Sequence, residues 1–298
     1  MKKIAFALLA AVLLCCSCEK EGVFNPKRKI SMIRAGESQQ PIMEYVWDGN
    51  KLAYEKFYDP DGSINDVVLT PEYDGNRIVR VNESDGSYAE YKYDGKFLSE
   101  IIWHLNDGVS VSQGKVTHKN GKISEISMTG APEYNAKLMR RLFPKNVADK
   151  AFRMIKEHSN AKLWMELIYR FEWTGDNVTK MSCQIIDPEA GSTMDLLTST
   201  FEYDKMLNPT CCSWAEFSDQ ANMLSTLAVG LDMNLSKNNF TKVITTMELV
   251  IWGGQTEQMT DTMTYTYEYD GKYPTKRVGT SVTGEFEGMD VLYYEYCF

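Results

Sequence analysis

Three histidines, seven cysteines and 41 acidic residues are the groups from which this 298-residue chain could assemble a reactive site. His104, His118 and His158 stand apart, none in an HExxH pair and none beside a second ligand, so their spacing gives no zinc site. No GxSxG elbow, phosphate-binding loop or GxGxxG fingerprint occurs. Asp59-Pro60-Asp61-Gly62-Ser63-Ile64-Asn65-Asp66 has the oxygen-rich look of half a calcium loop. Its glycine comes two places early for an EF-hand, and Thr70 stands where the bidentate glutamate belongs, so a turn is expected. Acids are plentiful enough for a glycosidase pair, but spacing in sequence does not fix spacing in space, and nothing marks one pair out. No catalytic residue, metal ligand or cofactor follows from these residues.

The cysteines divide into an N-terminal group and four others. Lys2 and Lys3 precede an apolar run over residues 4–14, which is followed by Cys15-Cys16-Ser17-Cys18. That run is too short to span a bilayer and suits the hydrophobic region of a signal peptide. A small residue before a cysteine at this point resembles the lipobox of bacterial lipoproteins. It implies lipidation at Cys18, with Cys16 as the alternative and plain secretory cleavage as the other reading. The expected division is a leader over 1–17, a charged tether over 18–29 and a β domain over 30–298. The implied partner is a membrane, held through lipid and not through a spanning segment. Cys183, Cys211, Cys212 and Cys297 contain no CxxC, and neighbours such as Cys211 and Cys212 rarely bridge each other. Buried thiols, or a single bridge, are expected. Net charge is −9, and cleavage of the leader would remove two lysines and no acid, so a nucleic-acid partner is not expected.

The elements that would carry any site are set by turns. Asp48-Gly49, Asp61-Gly62, Asp74-Gly75, Asp85-Gly86, Asp94-Gly95, Asp107-Gly108 and Asn120-Gly121 fall within 74 residues. Asx-Gly suits a two-residue hairpin turn with positive φ at both central positions. β-branched and aromatic residues lie between these turns, which describes an antiparallel meander. The turns alternate in type. Those at Gly49, Gly75, Gly95 and Gly121 have a basic residue close behind the glycine, and three of the four have an aromatic before it; those at Gly62, Gly86 and Gly108 lack both. Successive turns of a meander lie at opposite ends of the sheet, so each type should line one end. The aromatic signature returns at Tyr169–Trp173, Phe201–Tyr203, Tyr265–Tyr269 and Tyr294–Phe298. Tyr265, Tyr267 and Tyr269 share one strand face. An aromatic ladder facing a core is one reading, and a stacking platform for sugar is the other.

The strand pattern breaks near 133–165, where Leu138/Leu142 and Val147/Ala151/Ile155 repeat at helical spacing around Pro144. Within this helical insert Lys137, Arg140, Arg141, Lys145, Lys150, Arg153, Lys156 and Lys162 face only Asp149 and Glu157. The first seven are the candidate contact with an anionic surface; a solvated helix face is the alternative. A second, short helix is expected near 213–229, with Ser213 and Glu216 at capping-box spacing and Gly230 at its stop.

The motif aromatic-x-aromatic-Asp-Gly-x-Lys/Arg resembles the tyrosine-aspartate (YD) repeats of bacterial surface and toxin shells. A closer resemblance is to a family of Bacteroidetes lipoproteins of unknown function with a porin-like fold. It is carried by Cys18-Glu19-Lys20, by Phe201-Glu202-Tyr203-Asp204 followed by Asn208-Pro209, by Leu235-Ser236-Lys237-Asn238-Asn239, and by Tyr267-Glu268-Tyr269-Asp270 followed by Tyr273-Pro274. The resemblance implies an anchored antiparallel sheet that curls on itself, partly closed or open, and no activity. A true transmembrane barrel would need strands with an unbroken apolar outer face, and charges such as Lys51, Glu55, Lys56, Glu83, Glu90 and Lys92 argue against one. Three functions stay open. One is a non-enzymatic outer-membrane lipoprotein, periplasmic or surface-facing, that binds a glycan or an envelope protein. Another is an assembly subunit docking through the basic insert. The third is a hydrolase acting on polysaccharide.

Overall fold

The computed structural model describes residues 21–58, 64–106, 108, 111–130, 165–186, 193–213, 235–251, 255–282 and 291–297. They form sixteen strands: β1 (Ile30–Ala35), β2 (Gln40–Asp48), β3 (Lys51–Tyr58), β4 (Ile64–Asp74), β5 (Arg77–Glu83), β6 (Tyr88–Asp94), β7 (Phe97–His104), β8 (Val111–Lys119), β9 (Lys122–Gly130), β10 (Met165–Thr174), β11 (Asn177–Ile186), β12 (Thr193–Leu207), β13 (Asn238–Ile251), β14 (Gln255–Asp270), β15 (Tyr273–Ser281) and β16 (Val291–Tyr296). Each strand pairs antiparallel with its neighbours in sequence. The sheet then closes completely, because β16 also pairs with β1, Ile30 opposite Tyr296 and Arg34 opposite Tyr293. A sheet partly closed or open is the expectation from sequence; the pairing of β16 with β1 closes it fully, and closure leaves no edge strand to protect.

The two turn types do lie at opposite ends. Two-residue turns at 49–50, 75–76, 95–96, 120–121, 175–176 and 271–272 line one end, together with both ends of the described chain and the connection between β12 and β13. The connections at 36–39 and 84–87 belong to the other, where β9 also ends at Gly130 and β10 begins at Met165. One detail of the turn reading needs correction. Gly49, Gly75, Gly95, Gly175 and Gly271 have φ between 55° and 63°, while the residues before and after them do not adopt positive φ. The aspartate therefore ends the strand, and glycine is the first of the two central residues, the type II′ arrangement. Among the described turns only Asn120-Gly121, with φ of 54° and 75°, has both members of the dipeptide at the centre of a tight turn in left-handed backbone.

A bulge follows every one of these turns. The register slips between Val46 and Trp47, Glu72 and Tyr73, Lys92 and Tyr93, Thr117 and His118, Glu172 and Trp173, Glu202 and Tyr203, and Glu268 and Tyr269. The extra residue lies on the outgoing strand, and where it carries a hydroxyl it bonds the widened ladder. Ser99 donates to the Lys92 carbonyl at 3.1 Å, Ser124 to Thr117 at 3.1 Å, Thr179 to Glu172 at 3.3 Å and Thr241 to Glu202 at 3.3 Å. A bulge bends the strand and re-aims side chains. It also breaks the two-residue alternation, so that Ile78 and Val81, or Leu98 and Ile101, both point inward from three residues apart.

The core is the barrel interior. Leu69, Ile78, Val81, Ala89, Leu98, Ile101 and Ile126 are wholly buried, and Trp103, Tyr169, Phe171, Phe201 and Tyr265 fill the same cluster. A circular wall of sixteen strands would leave a water-filled lumen. Side chains this dry require the wall to approach itself, as in a flattened barrel packed like a sandwich. The outer face is the polar one. Lys92 pairs with Glu100 directly across the ladder at 2.6 Å, Arg170 with Glu125 at 2.9 Å, Lys242 with Glu202 at 3.2 Å, Lys276 with Glu268 at 3.3 Å and Lys180 with Glu172 at 3.4 Å. Tyr265 and Tyr267 pack on the core while Thr266 and Glu268 face solvent, as alternation predicts. The expected helical insert at 133–165 lies outside the described residues apart from Met165, which opens β10; the short helix expected near 213–229 lies outside them after Ser213.

Candidate functional site

The tight-turn end concentrates the aromatic, cationic and cysteine side chains. Bulges turn the aromatic residue of one hairpin toward the backbone of the preceding one. The Trp47 indole N–H donates to the Ile30 carbonyl at 2.7 Å, Tyr73 to Leu52 at 2.9 Å, Tyr93 to Ile78 at 2.6 Å, Trp173 to Ile123 at 2.6 Å and Tyr203 to Val178 at 2.6 Å. Tyr267 donates to Phe240 at 2.8 Å and Tyr296 to Pro274 at 2.7 Å. After three of the turns the basic residue covers the next ring, Lys51 over Tyr73 at 5.0 Å, Arg77 over Tyr93 at 4.2 Å and Lys122 over Trp173 at 5.2 Å, and Lys29, just before β1, covers Trp47 at 5.4 Å. The motif that stood out in sequence thus builds a belt joining hairpin to hairpin, its rings held by their polar tips and Trp47, Tyr73, Tyr93 and Trp173 each roofed by a cation. These rings have their hydrogen bond and a face committed, which favours the structural reading over a sugar platform. Burial raises the Tyr73 phenol to about 12 and raises Tyr93 and Tyr203 as well.

The belt lacks a bond at one place. His118 occupies the aromatic position of the β8–β9 turn, and among the described residues no ring reaches Leu98 as Tyr93 reaches Ile78. Glu21 fills that place. Its carboxylate accepts the Leu98 N–H at 2.6 Å and meets His118 Nε2 at 3.0 and 3.1 Å. The backbone around it joins in, with Glu21 N–H on Lys96 O at 3.1 Å and Ile78 N–H on Gly22 O at 2.8 Å. Phe24 is buried in the core beside Trp47, ring centroids 5.4 Å apart. Within the stretch read as a tether, residues 21–24 are therefore a strap across the barrel end.

The β12–β13 connection covers another part of this end. Asn208, Thr210, Ser213 and Ser236 are buried; the Asn208 amide donates to Ser236 O at 3.1 Å, and Ser213 Oγ reaches the buried Glu55 carboxylate at 3.1 Å. Between these anchors stand Cys211 and Cys212. Asp176 joins the same region to β9 by accepting from Lys122 and Lys237 at 2.9 and 3.0 Å, and those two bonds hold its carboxyl below the usual range.

The other polar groups of the described residues that could do chemistry are engaged locally. His104 stacks on Tyr88 at 4.2 Å and meets Glu90 at 3.3 Å on the outer face. Buried Asp261 accepts from Ser281 at 3.0 and 3.1 Å and from the Thr262 N–H at 2.7 Å. Among the described residues no group of three or more His, Cys, Asp or Glu is placed to hold a metal. Cys18, the expected lipidation site, and the seven basic residues Lys137, Arg140, Arg141, Lys145, Lys150, Arg153 and Lys156 lie outside the described residues, as do residues 59–63 of the calcium-like turn and His158. Sequence reading misses Glu21 and Gly22; it reads Ser213 as a helix cap and counts Glu55 among charges against an apolar outer face, whereas both are buried and bonded to each other. Only His118 left a trace, standing where the other turns have an aromatic.

No protein-family model matches the chain, and no curated protein does. Solved structures do resemble it. A porin-like protein from Bacteroides uniformis is similar over 94% of this chain and all of its own length, with a TM-score of 0.51 and 11% identity. A porin-like protein from Bacteroides vulgatus aligns over 90% of this chain and 99% of its own, with a TM-score of 0.48 and 10% identity. At such identity the likeness to the first is one of fold, a porin-like antiparallel barrel.

Proposed function

We propose that this chain is a non-conducting, non-enzymatic protein of the cell envelope, anchored by lipid on Cys18, that binds a glycan or protein partner. The observation that carries this reading is the inversion of the barrel. Charged pairs cover the outside and packed apolar side chains fill the inside. A wall of that kind has no apolar band to offer lipid and no lumen to offer a solute. What attaches it to a membrane would then be the N-terminus, which runs onto the tight-turn end. The opposite end faces away from such an anchor. β9 ends at Gly130 and β10 begins at Met165 there, which supports the basic insert as the partner-facing part. The strap at Glu21 keeps the anchor end fixed.

Replacement of Cys18 tests the reading in cells. Cys18→Ala should move the protein from the membrane to the soluble fraction with its protease resistance intact. Retention in the membrane would refute the anchor. Discrete current steps from the purified protein in a planar bilayer would refute the filled barrel.

A further inference from the structure

We propose that Cys211 and Cys212 are a reversible thiol–disulfide exchange site taking disulfide-bearing oxidants. Their Sγ atoms stand 3.5 Å apart, and both residues are partly exposed. Cys212 has φ of 69°, a left-handed conformation that a non-glycine residue holds only when its surroundings impose it. The surroundings here are specific. Thr210 N–H and Oγ1 bond to Asn208 Oδ1 at 3.0 and 2.9 Å on one side, the Ser213 N–H bonds to Thr210 O at 2.9 Å, and Ser213 Oγ is tied to Glu55 on the other. The pair is thus held sulfur to sulfur by a buried frame. Cys183 is the contrast: it is buried, and desolvation raises its thiol to about 12, which suits an inert core residue.

The chemistry is one of exchange and not of stapling. Adjacent Cα atoms are about 3.8 Å apart across a trans peptide, shorter than the roughly 4.4–6.8 Å usual for a disulfide, so the closed form is strained and easily reduced. So short a loop also constrains the unfolded chain little, and the bond would add little stability. Such bonds are the labile, regulatory ones. In the forward step one thiolate attacks a sulfur of glutathione disulfide and releases one glutathione. The second thiolate then displaces the other glutathione and closes the ring. Two protons and two electrons leave the pair, and one disulfide becomes two thiols.

The full chain, equilibrated in glutathione buffers, alkylated and cut with trypsin, gives the test. The peptide from Met206 to Lys237 carries no other cysteine. It should lose two hydrogens and both alkyl groups in a single transition, with the dithiol-to-disulfide ratio following the square of glutathione over its disulfide. Cys212→Ser should stop at a mixed disulfide with one glutathione. Stoichiometric binding of a trivalent arsenical, lost in either serine variant, would support the same pairing without oxidation. Two alkyl groups at every buffer ratio, or glutathione adducts that never close, would overturn the proposal.

Discussion

His118 Nε2 lies 3.0 Å from Oε1 and 3.1 Å from Oε2 of Glu21, two residues 97 positions apart in the chain. The contact falls where the aromatic belt lacks a ring-to-carbonyl bond. It makes the N-terminal strap part of the barrel end instead of a loose leader to it. If the N-terminus is lipidated, this contact fixes how the barrel is presented to the membrane.

Glu21→Ala removes the acceptor of the Leu98 N–H and the partner of His118. A lost bond of this kind leaves a part-buried donor unpaired and costs about 1–3 kcal/mol. Urea unfolding should show the loss, and limited proteolysis should cut before Phe24 more readily. Equal stability and equal cleavage would mean that the strap is not held by this residue.

Gly22→Ala should be worse than Gly49→Ala, although both glycines have positive φ, 81° and 55°. A Cβ at Gly22 would stand 2.1 Å from the Tyr93 Oη and 2.7 Å from its Cζ, whereas nothing lies within 4 Å of one at Gly49. Strained backbone alone costs about 1–3 kcal/mol, so Gly49→Ala measures that contribution and the difference measures the clash. Equal melting temperatures would place the strap elsewhere.

Stability should fall at alkaline pH. Burial raises Tyr73 from 10.0 to about 12 and raises Tyr93, Tyr203 and Tyr269 in the same direction. The folded state keeps these protons where the unfolded chain releases them. Their contribution is complete below the ordinary phenol value of 10.0 and is lost as pH rises through the folded values. Melting temperature measured from pH about 8 upward should therefore drop beyond pH about 10, and Tyr73→Phe should weaken that drop. A flat profile would contradict the buried belt.

Asp176→Asn should have a small effect with the opposite pH sense. Lys122 and Lys237 lower this carboxyl below 3.8, so its contribution is present above that value and fades as pH falls through the folded one. The group is mostly exposed, and a pair of this kind is worth at most about 1 kcal/mol. A double-mutant cycle with Lys237→Ala reads the coupling; a loss persisting in strong acid would point to packing and not charge.

Sequence alone determined the meander. Asx-Gly spacing set the hairpins, and their alternating flanks set which turns share an end, because both are local properties of the backbone. It also marked the aromatic and basic residues of the belt, though not their purpose. What only the tertiary structure decided is everything that depends on a neighbour distant in the chain. The register slip beside each aromatic is invisible in a pattern of alternation, and it sends Tyr93 to the Ile78 carbonyl. Closure needed β1 to meet β16, a pairing no local signal encodes. Glu21 reads as a tether residue until Leu98 and His118 are brought to it. Cys211 and Cys212 read as neighbours that rarely bridge each other until the frame of Asn208, Thr210 and Ser213 turns one sulfur toward the other. Burial and register are properties of the assembled wall, and these sites exist only where that wall folds back on itself.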